Sequence, residues 1–145
     1  MKTVGELLQA KGHALWSITP DATVYEALEL MAEKDVGALM VIDAGKLVGI
    51  MSERDYARKV ILKGRFSKET PVREIMTEKV VYVVPNDTIE QCMALMAEMR
   101  LRHLPVFEGD QLIGVISIGD VGRAIIAEQK LEIEELIGRP PRVLS

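Results

Sequence analysis

The sequence of 145 residues has few of the features of a secreted, membrane-spanning or nucleic-acid-binding protein. Its one cysteine, Cys92, cannot form an internal disulfide, and no apolar run approaches the roughly 20 residues that span a bilayer. Acidic and basic residues come too early at the N-terminus for a secretory signal. The net charge of −4 argues against a nucleic-acid partner, which would favour a basic face. We therefore expect a soluble cytoplasmic protein.

The sequence also lacks the usual signatures of catalysis. It has no P-loop for a nucleoside triphosphate, and its two histidines and one cysteine are too widely spaced for a zinc site. His103 has no evident serine or cysteine nucleophile as a partner, and Cys92 fits the apolar stripe of a predicted helix. An enzyme such as a nucleotide hydrolase is therefore the least favoured class, and we expect no metal and no required cofactor.

What the sequence does have is a duplication. Thr19–Ile61 aligns without a gap to Val84–Ile126, at an offset of 65 residues. A duplicated unit implies two similar halves related by a pseudo-twofold axis, so a cleft between the halves is the first candidate for a site. The identities include Pro20/Pro85, Thr23/Thr88, Leu39/Leu104, Val41/Val106, Gly49/Gly114, Ser52/Ser117, Asp55/Asp120 and Arg58/Arg123.

Both repeats predict the same order of elements, β-α-β-β-α, and hence a mixed α/β (α+β) fold. In each repeat, a strand and a proline precede a helix that begins with a capping box at Thr23 or Thr88. A tight hairpin follows, and then a second helix that opens at Ser52 or Ser117. The predicted strands are Leu15–Ile18, Ala38–Ile42 and Leu47–Met51 in the first repeat, and Val80–Val84, Leu104–Phe107 and Leu112–Ile116 in the second.

The sequence suggests four segments. The linker contains a short amphipathic piece, Val72–Met76, whose pattern is echoed at Val4–Leu8. An acidic helix is expected to run to Ile137, because a glycine and two prolines follow it. The segments are residues 1–64, the first repeat with its N-terminal segment; 65–79, the linker; 80–127, the second repeat; and 128–145, the acidic helix and tail.

The strongest candidate for chemistry is the strand–turn–helix at the end of each repeat, Gly49–Asp55 and Gly114–Asp120. A serine at a helix N-terminus suits a phosphate, and an aspartate one turn later could accept hydrogen bonds from both hydroxyls of a ribose. The alternative is structural, because a serine followed three residues later by an acid is an ordinary helix cap. Duplication copies caps as well as sites, so both interpretations stay open here.

Basic residues distinguish the two repeats. Arg54 lies inside the first turn, and Arg102 and His103 stand where the first repeat has Gly37 and Ala38. These cations could converge on a phosphate, or they could form the solvated entry to a strand. In either case the two halves are not equivalent.

Taken together, the repeat resembles a CBS domain, and the chain resembles a stand-alone tandem CBS pair, or Bateman module. The resemblance covers about Val4 to Ala127, and its order, spacing and duplication are specific. It is carried by Gly37–Val41, Arg102–Val106, Gly49–Asp55, Gly114–Asp120 and the linker piece Val72–Thr77.

The resemblance implies two β-α-β-β-α units packed through their sheets with pseudo-twofold symmetry, and a disc-like homodimer. It implies a non-catalytic sensor of energy or metabolites in signal transduction, with AMP, ADP, ATP, NAD or S-adenosylmethionine as a regulatory ligand. The regulated protein is unknown. The competing hypothesis is an oligomerisation or partner-binding scaffold with vestigial clefts, to which Leu131, Ile133, Leu136 and Ile137 of the acidic helix could contribute.

Carried over by position, the resemblance implies one ribose-binding aspartate in each site, with residues of both repeats around it. The Asp55 site is richer in cations and suits a polyanionic phosphate, whereas the Asp120 site has more room and less charge. Met40 against Pro105, and Gly119 against Arg54, also set the repeats apart. The implied Asp120 site is Thr19, Val36, Gly37, Ala38, Ser117, Gly119 and Asp120, and the implied Asp55 site is Ser52, Arg54, Asp55, Val84, Leu101, Arg102 and His103.

Overall fold

The computed structural model describes residues 2–128, 138 and 142–144, and its contacts divide the chain into two compact units. The first unit is Ala14–Val81, which contains the first repeat. The second unit combines Met1–His13 with Tyr82–Ser145 and contains the second repeat. The mixed α+β fold class is confirmed, since each unit has a small sheet flanked by helices.

The first unit contains a three-stranded sheet, whose strands in order are β1 (Ser17–Ile18), β2 (Ala38–Asp43) and β3 (Lys46–Ser52). β1 pairs in parallel with β2, and β2 pairs with β3 in an antiparallel hairpin whose turn residues, Ala44 and Gly45, both have positive φ. Two positive φ values match the twist of a hairpin. The other elements are α2 (Val24–Lys34), α3 (Glu53–Tyr56), a π-helix (Ala57–Ile61) and two 3₁₀ turns (Ser67–Glu69 and Val72–Glu74).

The second unit repeats this plan with a two-stranded antiparallel sheet. Its final helix is α-helical over all of its described length, whereas the corresponding helix of the first unit changes to a π-helix after one turn. The elements are α1 (Val4–Lys11), α4 (Ile89–Met99), β4 (His103–Glu108), β5 (Gln111–Ser117) and α5 (Ile118–Glu128).

The predicted strand Val80–Val84 is wrong, and Leu15–Ile18 is shortened to two residues. Val83 makes a single parallel bridge to Val106, with its N–H donating to the carbonyl of Pro105. The β-branched run favours a strand, but the chain turns directly after it. The Val84 N–H donates to Asp87 Oδ2, and the Asp87 N–H donates to the Val84 carbonyl, so no second rung forms.

The segment before each repeat packs on the other repeat. Val4 N–H donates to the Asp87 carbonyl at 2.8 Å, and Val72 N–H donates to the Ala22 carbonyl at 2.8 Å. The N-terminal segment, which the sequence analysis grouped with residues 1–64, therefore contacts the second repeat, and part of the linker contacts the first. The two echoed pieces hold equivalent places in the two units.

Close packing against these segments explains two of the shared glycines. A Cβ at Gly49 would lie 2.8 Å from Met76 Sδ, and a Cβ at Gly114 would lie 2.9 Å from a Leu8 methyl. Neither distance is sterically possible without a shift. The predicted acidic helix beyond Glu128, with Leu131, Ile133, Leu136 and Ile137, lies outside the described residues.

Candidate functional site

The two Ser–Asp turns occupy the same position in their units. Ser52 is the last residue of β3 and the N-cap of α3, and Ser117 is the last residue of β5, directly before α5. In each turn the serine Oγ accepts from the aspartate N–H, and the aspartate Oδ2 accepts from the serine N–H. Both turns are therefore capping boxes, as the structural interpretation predicted, and any ligand would meet a carboxylate that already caps a helix.

Asp55 accepts three hydrogen bonds and forms one ion pair. Oδ2 accepts from the backbone and the hydroxyl of Ser52, at 2.9 and 3.0 Å, and Oδ1 accepts from Thr77 Oγ1 at 3.3 Å. The ion pair is with Lys59, whose Nζ lies 3.0 Å from Oδ1. Asp55 is only 8% exposed, so contacts within its own unit largely enclose this carboxylate.

Asp120 accepts three hydrogen bonds. Oδ2 accepts from the Ser117 N–H at 2.8 Å and from Lys11 Nζ at 2.6 Å, and Oδ1 accepts from Arg123 Nη2 at 3.0 Å. Burial raises the pKa of Asp120, but the bonds from Lys11 and Ser117 outweigh burial and hold the pKa below its usual value. The carboxylate is therefore ionised at neutral pH and has one acceptor position left.

Arg102 and His103 lie beside the Asp120 turn of their own unit. His103 faces Ser117 in the β4–β5 ladder, and the Ile118 N–H donates to the Arg102 carbonyl at 2.9 Å. Burial lowers the pKa of His103, and the charges of Arg102 and Lys11 lower it further, against the opposing effect of Asp120. The imidazole is consequently neutral at neutral pH, next to two permanent cations.

The corresponding neighbours in the first unit are small. Ala38 faces Ser52 in the ladder, and the Glu53 N–H donates to the Gly37 carbonyl at 3.0 Å. Arg54 is an exposed residue of α3. The prediction had assigned these neighbours the other way round. Gly37 and Ala38, predicted for the Asp120 site, lie beside the Asp55 turn, and Arg102 and His103, predicted for the Asp55 site, lie beside the Asp120 turn.

The remaining predicted site residues vary in exposure. Thr19 and Val84 are exposed, whereas Val36 packs partly buried against the core of the first unit. Gly119 follows Ser117 in the second turn, and Leu101 is partly buried just before β4. The assignment of residues from both repeats to each site remains a prediction.

Two lysines that contact the aspartates were not predicted from the sequence. Lys11 belongs to the N-terminal helix, and its Nζ also donates to the Val115 carbonyl at 2.6 Å. Lys59 also donates to the Ile75 carbonyl at 2.8 Å. An i,i+4 spacing from Asp55 is the only sequence signal for Lys59, and the π-helix that contains it is a rare element often found at functional sites.

Each turn therefore presents a capped carboxylate beside an ammonium group. This pair can accept hydrogen bonds from a diol and donate to an anion. The described part of the chain contains no group of three or more His, Cys, Asp or Glu side chains that could hold a metal ion. Within the same residues, no helix is both long and apolar enough to cross a membrane.

Comparison with known proteins identifies the family. The sequence profile of the CBS domain matches twice, at residues 12–62 and 72–127. The mitochondrial CBS domain-containing protein CBSX3 of Arabidopsis thaliana is 42% identical over 144 residues, which cover 92% of this chain and 69% of that protein. A CBS-domain protein from Burkholderia ambifaria MC40-6 has a solved structure that is 51% identical, with a TM-score of 0.86, covering 91% of this chain and 99% of that one.

A more distant structure shares the fold alone. The CBS domain pair of protein MJ0100, solved in complex with 5′-methylthioadenosine and S-adenosyl-L-methionine, is 20% identical with a TM-score of 0.77. The match covers 88% of this chain and 98% of that one. On the two profile matches and the close relatives, the chain belongs to the CBS domain family and carries two copies of the domain.

Proposed function

We propose that this CBS pair is a non-catalytic sensor that binds adenosine-containing nucleotides at its Ser–Asp turns. The observation that carries the proposal is the repeated arrangement of Ser52 with Asp55 and Ser117 with Asp120. In both, an aspartate carboxylate caps a helix, and a lysine lies beside it. A ribose offers the diol that such a carboxylate accepts, and a nucleotide also brings the anion that an ammonium group favours.

Adenine nucleotides are the proposed class because of the family. A protein with the same fold binds 5′-methylthioadenosine and S-adenosyl-L-methionine, both of which contain adenosine. AMP, ADP, ATP, NAD and S-adenosylmethionine are therefore the compounds to test. A homodimer, a regulated partner protein and a cytoplasmic location stay predictions beside this proposal, and the relative CBSX3 is mitochondrial.

The Asp120 turn is proposed to bind first. A diol needs two acceptor positions, and Asp120 has one open and a second occupied by Arg123, whose side chain is 67% exposed. An exposed ion pair costs little to open. At Asp55, which is only 8% exposed, Oδ1 already contacts both Thr77 and Lys59, so a ligand diol there must displace one of them. We therefore expect the Asp55 turn to bind a ligand more weakly than the Asp120 turn.

Thermal denaturation with each compound tests the proposal. A ligand stabilises the native state by RT ln(1 + [L]/Kd), about 2.7 kcal/mol at a hundredfold excess over Kd. We expect a rise in Tm with at least one adenosine compound, and GMP at the same concentration measures how much of that rise depends on the adenine base. Unchanged Tm values with every adenosine compound would refute a sensor of this class and favour the scaffold hypothesis.

A further inference from the structure

We propose that Lys11 is a phosphate-binding residue of the Asp120 turn. The inference rests on the proposed function, because it assumes that a ribose binds Asp120. It adds a contact for the phosphate that comes from the N-terminal helix rather than from either repeat.

The Lys11 ammonium is fixed in place with one donor to spare. Nζ donates to Asp120 Oδ2 and to the Val115 carbonyl, both at 2.6 Å. An ammonium group has three protons, and the third has no acceptor among residues 2–128, 138 and 142–144. The side chain is 30% exposed, so this donor can meet a ligand without leaving its two protein partners.

The two cations on Asp120 have different roles in this arrangement. Arg123 binds Oδ1, is largely exposed and has only the carboxylate as its partner among the described residues. Its release gives a ribose diol access to Oδ1. Lys11 remains on Oδ2, beside the bound sugar, where an oxygen of the phosphate attached to that sugar can accept its third proton.

The surroundings of Lys11 favour an anion. His103 faces Ser117 in the ladder, and the charges of Arg102 and Lys11 both lower the pKa of its imidazole, so two permanent cations lie near the second turn. Arg123 adds a third positive charge at the carboxylate of that turn. A single aspartate does not neutralise these charges, and a phosphate would.

The first unit supports the inference independently. There Lys59 makes the same two kinds of contact, to the Asp55 carboxylate and to the Ile75 carbonyl. The second repeat has Ala124 at the position of Lys59, and the linker has Lys79 at the position of Lys11 in the echoed segment. A lysine therefore pairs with the aspartate in both turns, although the two lysines occupy non-equivalent positions in the sequence. Duplication of one ancestral contact does not explain this.

The test compares adenosine with AMP, which differ by the phosphate alone. Isothermal titration calorimetry would measure both ligands on the wild type and on Lys11→Met, which keeps the length of the side chain. We expect AMP to bind Lys11→Met about tenfold more weakly or worse, the usual effect of losing a charged hydrogen bond. Adenosine should bind as well as before or more tightly, because Oδ2 gains an open position.

Two further variants separate a contact from a general charge effect. Lys11→Arg keeps the charge and should retain most of the affinity for AMP. Arg123→Met removes the exposed cation from the same carboxylate and should leave the ratio of AMP to adenosine affinity within about threefold of the wild type. The melting temperature of each variant confirms that it is folded.

The outcomes are distinct. Equal losses for AMP and adenosine in Lys11→Met, or no change in either, would overturn the role of Lys11 while leaving nucleotide binding intact. If Arg123→Met lost as much AMP affinity as Lys11→Met, the role of Lys11 would also be overturned. The loss would then reflect the positive charge of the region and not a contact made by Lys11. If the wild type binds neither AMP nor adenosine, this inference fails, whereas the proposed function fails only if none of the adenosine compounds raises the Tm.

Discussion

The Lys11 ammonium and the Asp120 carboxylate lie 2.6 Å apart, although 109 positions separate the two residues in the sequence. This ion pair connects the N-terminal helix to the turn at the end of the second repeat. At the first turn the corresponding cation is Lys59, only four residues from Asp55. The two turns thus share a local geometry but depend on different parts of the chain for their charge.

The charge of Asp120 should make stability depend on pH. Burial raises its pKa, but hydrogen bonds from Lys11 and Ser117 outweigh burial, so the folded-state pKa lies below that of the unfolded chain. The resulting stabilisation is present above the unfolded pKa of about 3.9 and is lost as the pH falls through the folded value. Asp120→Asn should therefore be less stable than the wild type at neutral pH, by a difference that shrinks in acid.

Urea unfolding at about pH 7 and at about pH 3 would measure this difference. Asp110→Asn, at an exposed hairpin residue, is the control and should change stability little at either pH. A deficit of the same size at both pH values would contradict the linkage to Asp120.

His103 should report an anion at the second turn. Burial, Arg102 and Lys11 lower the pKa of the imidazole in the free protein. A bound phosphate would stabilise the imidazolium, raise this pKa and draw a proton onto the protein. AMP should therefore bind more tightly as the pH falls towards the pKa of the free imidazole, whereas adenosine should show a weaker dependence.

NMR titration of the His103 ring protons, with and without AMP, would follow the shift directly. We expect the midpoint to rise with AMP and to move less with adenosine. A midpoint that AMP leaves unchanged would mean that no phosphate binds near His103.

Gly49→Ala should destabilise the first unit more than Gly114→Ala destabilises the second. A Cβ at Gly49 meets the Thr77 carbonyl at 3.0 Å as well as the Met76 side chain, and backbone cannot shift as a side chain can. At Gly114 the near atoms belong to the Leu8 side chain alone. Overpacking of this kind costs about 1 to 3 kcal/mol.

Urea unfolding would compare both variants with Gly122→Ala. A Cβ at Gly122 has nothing within 4 Å, so alanine there should stabilise α5 by up to about 1 kcal/mol. If Gly49→Ala were as stable as the wild type, the close approach of Met76 and Thr77 to β3 would be in error.

Cys92 should be chemically inert in the native protein. The side chain is fully buried in α4, and burial, assisted by the charge of Asp87, raises the pKa of its thiol to about 11. Because the thiolate is the reactive form, a thiol reagent at neutral pH should label Cys92 only as fast as the second unit opens. Rapid labelling without denaturant would contradict this burial.

Features set by neighbouring residues were predictable from the sequence. The capping boxes at Thr23 and Thr88, the two hairpins and the Ser–Asp turns each depend on a few adjacent positions, and all are present. The duplication also predicted two similar units.

Contacts between distant segments were not predictable. The pieces Val4–Leu8 and Val72–Met76 have the same apolar pattern. That pattern does not reveal that Val4–Leu8 packs on the second repeat and Val72–Met76 on the first. For the same reason Lys11 could not be distinguished from Lys79. The run Val80–Val84 has the β-branched composition of a strand, but because the chain turns at Asp87, the run forms only one β-bridge, between Val83 and Val106.

Calorimetric titration of AMP would show whether Asp120 binds the ribose of an adenine nucleotide. We predict that the wild type binds AMP and that Asp120→Asn, while still folded, binds at least tenfold more weakly, because hydrogen bonds to a charged acceptor are lost. Asp110→Asn should bind as the wild type does. Equal affinity of the wild type and Asp120→Asn for AMP would mean that Asp120 does not bind the nucleotide.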